Sequence, residues 1–217
     1  MLARFIEGPA TVRLNVPPPL DTPLLVEDRG DHLAAVAGEM VVMEARSAVG
    51  HLGSASFVSF EAAAASEPGY PGWAYHAAAE CFVCGPDRHD EHGMRLFPGP
   101  VSGELLAAAA WVPDPAVGDD NGVVPAEIVW GVIDCPGAWV AVAYDPEGMP
   151  YFPTLGTITA SLEEPVRVGE RLVVVARYRS TEGRKLNTDV VLFGAGGAIK
   201  ARSRHVEIKL FDYDASR

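Results

Sequence analysis

Three cysteines in 217 residues are too few for a disulfide framework, and two of them stand as a C-x-x-C pair, so the chain suits a reducing compartment. Long apolar runs are missing as well. Residues 1–6 carry Arg4 and are stopped by Glu7, Gly8 and Pro9, which leaves neither a secretory apolar region nor a membrane span there. A soluble, cytoplasmic protein with no membrane partner is expected. Positive charge is scarce overall: 17 Lys and Arg against 29 Asp and Glu give a formal net charge of −12, which repels a nucleic-acid backbone, so no nucleic-acid partner is expected either.

What is present is apolar. The chain is 48% hydrophobic with a mean hydropathy of +0.11, enough for one large core or two small ones and too apolar for a disordered tail. Charge is unevenly spread, with ten Lys and Arg against four Asp and Glu over residues 167–209, so a small polyanion can be attracted locally.

Short Val- and Leu-rich runs separated by Pro, Gly and Asp predict strands at 11–16, 23–29, 32–37 and 39–46, an antiparallel meander. The alanine-rich stretch 54–66 suits a helix, and the Pro/Gly run that follows reads as a linker. Residues 93–98 and 104–112 read as extended, and 125–144 as the main helix, opened by Pro125 and with Glu127 at the positive end of its dipole. Pro136 and Gly137 predict that this helix kinks or ends just after Asp134. Four strands are expected after it, at 154–161, 171–180, 185–193 and 198–210.

The two strand-rich stretches share one order: proline, turn, long strand, second strand, glycine turn, then a strand carrying Ala-Arg-Ser, at 45–47 and again at 201–203. This predicts a partial duplication whose first copy lacks a leading strand and helix. The organisation expected is a strand-rich partial repeat over 1–50, helix and linker over 51–75, and a complete domain over 76–217.

Glu127 and Asp134 are seven apart, so on a helix they share one stripe with Trp130 and Gly131 between them. If that stripe lines a pocket, Asp134 suits a general base or nucleophile, Gly131 leaves room for a ligand, and N–H groups at the helix start suit a developing oxyanion. Glu127 has an ordinary alternative role at the helix dipole, and Trp130 and Trp139 are of a type that more often forms core or wall. Cys81, Cys84, His89 and His92 offer four zinc-ligand side chains within twelve residues, but spacing so compact favours reduced cysteines, and no metal or other cofactor is expected. Cys135, with no histidine near it in sequence, reads as a small core thiol.

Four segments, Cys81-Phe-Val-Cys-Gly-Pro86, Gly93-Met-Arg-Leu-Phe-Pro-Gly-Pro100, Val129-Trp-Gly-Val-Ile-Asp-Cys-Pro-Gly137 and Gly183-Arg-Lys185, resemble a group of thioesterase-superfamily hotdog proteins, over about residues 76–210. The resemblance implies an α+β hotdog fold, a sheet wrapped around a central helix, here complete at the C-terminal side and partial before it, as a possible double hotdog. It implies an acyl-CoA or other acyl-thioester substrate, and a homodimer or an intrachain pseudo-dimer. In acyl-CoA thioesterases of the phenylacetyl-CoA type the helix opens on His-Gly-Gly and bears a catalytic Asp nine residues later; Asp134 matches that Asp, while Pro125, Ala126 and Glu127 stand where the motif would be. A hydrolase using Asp134 is therefore the leading expectation, with a non-catalytic acyl-CoA binder or a zinc-stabilised scaffold as alternatives. Trp130 and Gly131 would line the substrate site. Arg184, Lys185, Arg202 and Arg204 would meet the phosphates of coenzyme A, or else serve as solubilising charges on an outer sheet face.

Overall fold

The computed structural model describes residues 2–50, 52–88, 93–148 and 151–211. The first meander forms where expected, as β1 (Ala10–Leu14), β2 (Leu25–Asp28), β3 (Leu33–Ala37) and β4 (Met40–Ser47), with Gly38 at φ +61 making the tight β3–β4 turn. Helix α1 (Phe60–Ser66) covers only the second half of its predicted stretch; it starts where Ser59 accepts the Ala62 N–H at 3.2 Å. After it come β5 (Gly99–Val101), β6 (Leu106–Trp111), helix α2 (Ala126–Tyr144), β7 (Phe152–Leu162), β8 (Leu172–Glu182), β9 (Lys185–Phe193) and β10 (Ile199–Leu210). Residues 93–98 form no strand. The N–H groups of Met94 and Leu96 bond the carbonyls of Phe82 and Val83 at 2.8 and 2.9 Å, tying this stretch to the C-x-x-C loop.

The ten strands among the described residues join one sheet in the order β2-β3-β4-β1-β7-β10-β9-β8-β6-β5. The order is symmetric about the β1–β7 seam, where Ala10 faces Ala160 and Val12 faces Ile158 in antiparallel register. Outward from that seam each side runs through its fourth, third and second strand. Only the second side has the two preceding strands and a long helix, so the first is the partial repeat read from the sequence.

Helix α2 does not break at Pro136; it runs unbroken to Tyr144. A proline inside a helix costs about 3 kcal/mol, whereas each fully buried Val or Ile contributes about 1.5–3 kcal/mol, and Val132, Ile133 and Val140 of α2 have no exposed surface. Burial therefore outweighs the lost N–H. Gly137 completes the contact: a Cβ there would stand 2.4 Å from His205 Nδ1 and 2.9 Å from Thr188 Oγ1, so its missing side chain lets the helix press onto β9 and β10. By length and hydropathy α2 resembles a membrane span, yet here it forms the core packed on the sheet. A second, smaller apolar cluster lies where α1 covers β6, β8 and β9, built from Val58, Ala63, Leu106, Val175 and Phe193 among others.

Candidate functional site

The last strand alternates in a way that decides the site. Lys200, Arg202 and Arg204 share one face, as the period of two predicts, and the other face carries Ser203, His205, Glu207 and Lys209, each with at most 1% of its surface exposed. This buried polar row lies under α2. His205 Nε2 is 2.7 Å from Ser203 Oγ and its Nδ1 is 3.1 Å from Glu207 Oε1. Asp134 reaches the row from α2, and the ligand-type atoms of Asp134, His205 and Glu207 all lie within 4.8 Å of one another. Both ring nitrogens of His205 are engaged, by Ser203 and Glu207, so the hydrogen-bonded chain is Ser203–His205–Glu207 and the Asp134 carboxylate stands beside it. Ser203 has the neighbours of a nucleophile but is fully buried and lines none of the cavities described here.

A cavity of about 220 Å³ opens beside this chain. Asp134, Cys135, Ala138 and Trp139 of α2, Phe152 to Leu155 of β7 and Glu207 of β10 line it, and His76, Ala78, Cys81 and Cys84 close it. Asp134 is half-buried, and Glu207 Oε2 is a buried oxygen with no hydrogen-bond partner. Burial, then the neighbouring Glu207 carboxylate, push the Asp134 carboxyl up to about 7 against the opposite pull of His205.

The C-x-x-C loop meets Cys135 at the cavity's edge. The three sulfurs lie within 4.8 Å of one another, and Cys81 Sγ is 3.9 Å from Cys135 Sγ. The Cys135 and Cys84 side chains, and then the backbone N–H groups of Cys84 and Val83, hold the Cys81 thiol well below the usual range against the effect of burial. His89 and His92, the other two ligand candidates, lie outside the described residues.

The remaining predicted residues are dispersed. Glu127 is exposed, 3.4 Å from Arg4, and with Trp130 it lines a different cavity of about 250 Å³ between the helix start and the β1–β7 seam. Seven residues at 1.5 Å each put Glu127 about 10 Å along the helix from Asp134. The space opposite Gly131 is taken by Val83 rather than left for a ligand. Arg202 pairs with Glu163 at 2.6 Å and Arg204 with the buried Asp189 at 3.2 Å, both on the sheet face away from α2. Arg184 donates to the Lys209 carbonyl at 3.1 Å, and Lys185 is exposed beside it. A larger groove, about 760 Å³, is also on the outer face, around Arg177, Arg179, Asp189 and Arg204, away from Asp134 and Glu207. His76, His205 and Glu207 escaped the sequence reading; the Ser-x-His-x-Glu-x-Lys alternation in 203–209 was the available signal.

Neither a protein-family model nor a curated protein matches this sequence. Solved structures do resemble the fold. A crystal structure of a thioesterase-superfamily protein aligns at TM-score 0.50 and 16% identity, covering 60% of this chain and 60% of its own. The E. coli PaaI protein from the phenylacetic acid degradation operon aligns at TM-score 0.43 and 13% identity, over 50% of this chain and 79% of its own. A Streptococcus mutans protein bound to acetyl CoA aligns at TM-score 0.44 and 8% identity, over 51% and 86%. The sheet wrapped on one central helix, with a partial repeat before it, is the hotdog fold.

Proposed function

We propose that this hotdog-fold chain binds a short acyl thioester in the α2 cavity and hydrolyses it with Asp134 as general base. The observation that supports this most is a half-buried carboxylate standing at a cavity with Ala138, Trp139, Phe152 and Leu155 in its wall, backed by the buried His205–Glu207 pair. A volume of about 220 Å³ holds about seven waters at roughly 30 Å³ each, so it suits a short acyl or small aryl group rather than a long chain.

In this reading a water beside Asp134 gives a proton to the carboxylate as its oxygen attacks the thioester carbon. The C–S bond then breaks, and the proton passes to the leaving thiolate, leaving a carboxylic acid and a thiol. Burial and the Glu207 carboxylate raise the proton affinity of the base, and His205 opposes them. Of the four basic residues read as phosphate contacts, Arg184 best fits the role: its guanidinium donates to the Lys209 backbone carbonyl, two residues along β10 from Glu207, whereas Arg202 and Arg204 face away from α2. The β1–β7 seam would let one chain supply the sheet pairing of a dimer.

One observation favours a second reading, a non-catalytic thioester binder. The helix starts about 12 Å from Asp134 at 1.5 Å per residue, and Pro125 offers no N–H, so the helix start supplies no oxyanion donor at the cavity. Thiol release from a panel of acyl-CoAs decides between them. The hydrolase reading predicts release that peaks at short chains and falls about 100-fold or more in Asp134→Asn. Saturable binding without release by the unmodified chain establishes the binder, and neither binding nor release removes both.

A further inference from the structure

The three cysteines of the chain, 81, 84 and 135, converge although the third is 51 residues from the second in sequence. The 3.9 Å between Cys81 Sγ and Cys135 Sγ is close to the roughly 3.8 Å edge of a tetrahedron with 2.3 Å zinc–sulfur bonds. Side-chain N–H groups surround the sulfurs. Trp139 Nε1–H donates to Cys84 Sγ at 3.3 Å, and His76 Nε2 is 3.4 Å from the same sulfur. Such N–H donors on one group of sulfurs match the outer shell that orients and stabilises metal-bound thiolates.

We propose that Cys81, Cys84 and Cys135 bind one zinc ion as thiolates, with solvent from the cavity completing a tetrahedral site. His76 is a supporting donor and not the fourth ligand. Its Nδ1 accepts the Ala78 N–H at 3.1 Å, which leaves the ring proton on Nε2, aimed at Cys84. All three cysteines line the cavity, so the fourth position faces it. Zinc is favoured over magnesium or calcium because the donors are sulfur. The ion would also do structural work: the described residues of 74–88 form no helix or strand, and two of the ligands come from this loop while the third comes from α2. This inference is independent of the thioester reading, since its readout involves no acyl substrate.

The test uses the full chain, stripped with a chelator under reducing conditions and titrated with zinc alone. The expected result is one zinc retained per chain after gel filtration, all three thiols shielded from a thiol reagent, and a thiolate-to-metal charge-transfer band when cobalt replaces zinc. Cys135→Ser should abolish retention, and Trp139→Phe should keep the stoichiometry while weakening affinity about 10- to 100-fold. If Cys135→Ser fails to fold, shielding of all three thiols in the unmodified chain still decides the matter. The proposal is overturned if that chain takes up no zinc, if zinc leaves the thiols equally reactive, or if a folded Cys135→Ser binds as tightly.

Discussion

The two halves of the sheet are built to one plan and carry different loads. On one side of the seam β1, β4, β3 and β2 are closed mainly by the 3-10 turn Leu2–Phe5; on the other β7, β10, β9 and β8 are closed by the 19-residue α2. A four-residue turn covers little, and β2 is exposed along its whole length. The second half buries so much apolar surface that it tolerates a polar row on the inner face of β10, and Glu207 of that row lines the α2 cavity. Buried polar side chains are placed where a long helix excludes water from the sheet, and the half without a long helix extends the same sheet and walls the cavity at the helix start.

The comparison breaks most sharply at Lys209. Its side chain is 1% exposed and its ammonium is 2.7 Å from the wholly buried Asp145 at the end of α2. Lys209→Met strands that carboxylate, and urea unfolding should show a loss of about 3–5 kcal/mol. The same pair gives a pH signature. Burial alone would raise the Asp145 carboxyl, but Lys209, with the Thr181 and Tyr151 hydroxyls, outweighs it and holds the group below its ordinary value. A carboxyl depressed in the folded state stabilises fully above its unfolded pKa, about 3.9, and loses that contribution as pH falls through the folded value. The urea midpoint should therefore drop below about pH 4, and Lys209→Met should flatten that drop.

Gly137→Ala comes next. The added Cβ must displace His205, which is held on both ring nitrogens, so a loss of about 1–3 kcal/mol should accompany a fall in thiol release, read by thermal unfolding and by assay on the same preparation. In the helixless half Val42 is fully buried in β4, and Val42→Ala should cost about 1.6 kcal/mol from the two lost methyl-sized groups, with thiol release unchanged at a temperature where the variant is folded. The smallest effect belongs to the exposed Arg29–Glu27 pair on the edge hairpin: Arg29→Ala should change the unfolding free energy from urea titration by less than about 0.5 kcal/mol. If Val42→Ala abolished activity, or Gly137→Ala left it intact, the division of labour between the halves would fail.

The strands were legible because glycine and proline punctuate them, and the duplication was legible because both copies keep that punctuation in order. The helix break was misread because a local rule about Pro136 takes no account of the surface that Val132, Ile133 and Val140 bury on either side. Asp134 was singled out by its helix stripe together with the resemblance to thioesterase-superfamily proteins, but angle alone could not show that Glu127, two turns away, opens on a different cavity. The inner row of β10 was hidden by its own chemistry: alternating basic residues marked one face, and a partner face of Ser, His, Glu and Lys does not look like a core. Cys135 read as an isolated thiol because its meeting with Cys81 depends on where the loop lands on α2, which no local pattern records.

The most direct test of the account is a crystal structure with a non-hydrolysable thioether analogue of a short acyl-CoA. The prediction is an acyl group between Trp139 and Phe152, with the carbon that mimics the thioester carbonyl about 3–4 Å from Asp134 or one water away. An analogue held only in the outer groove around Arg177, Arg179 and Arg204, with the α2 cavity empty, would contradict it.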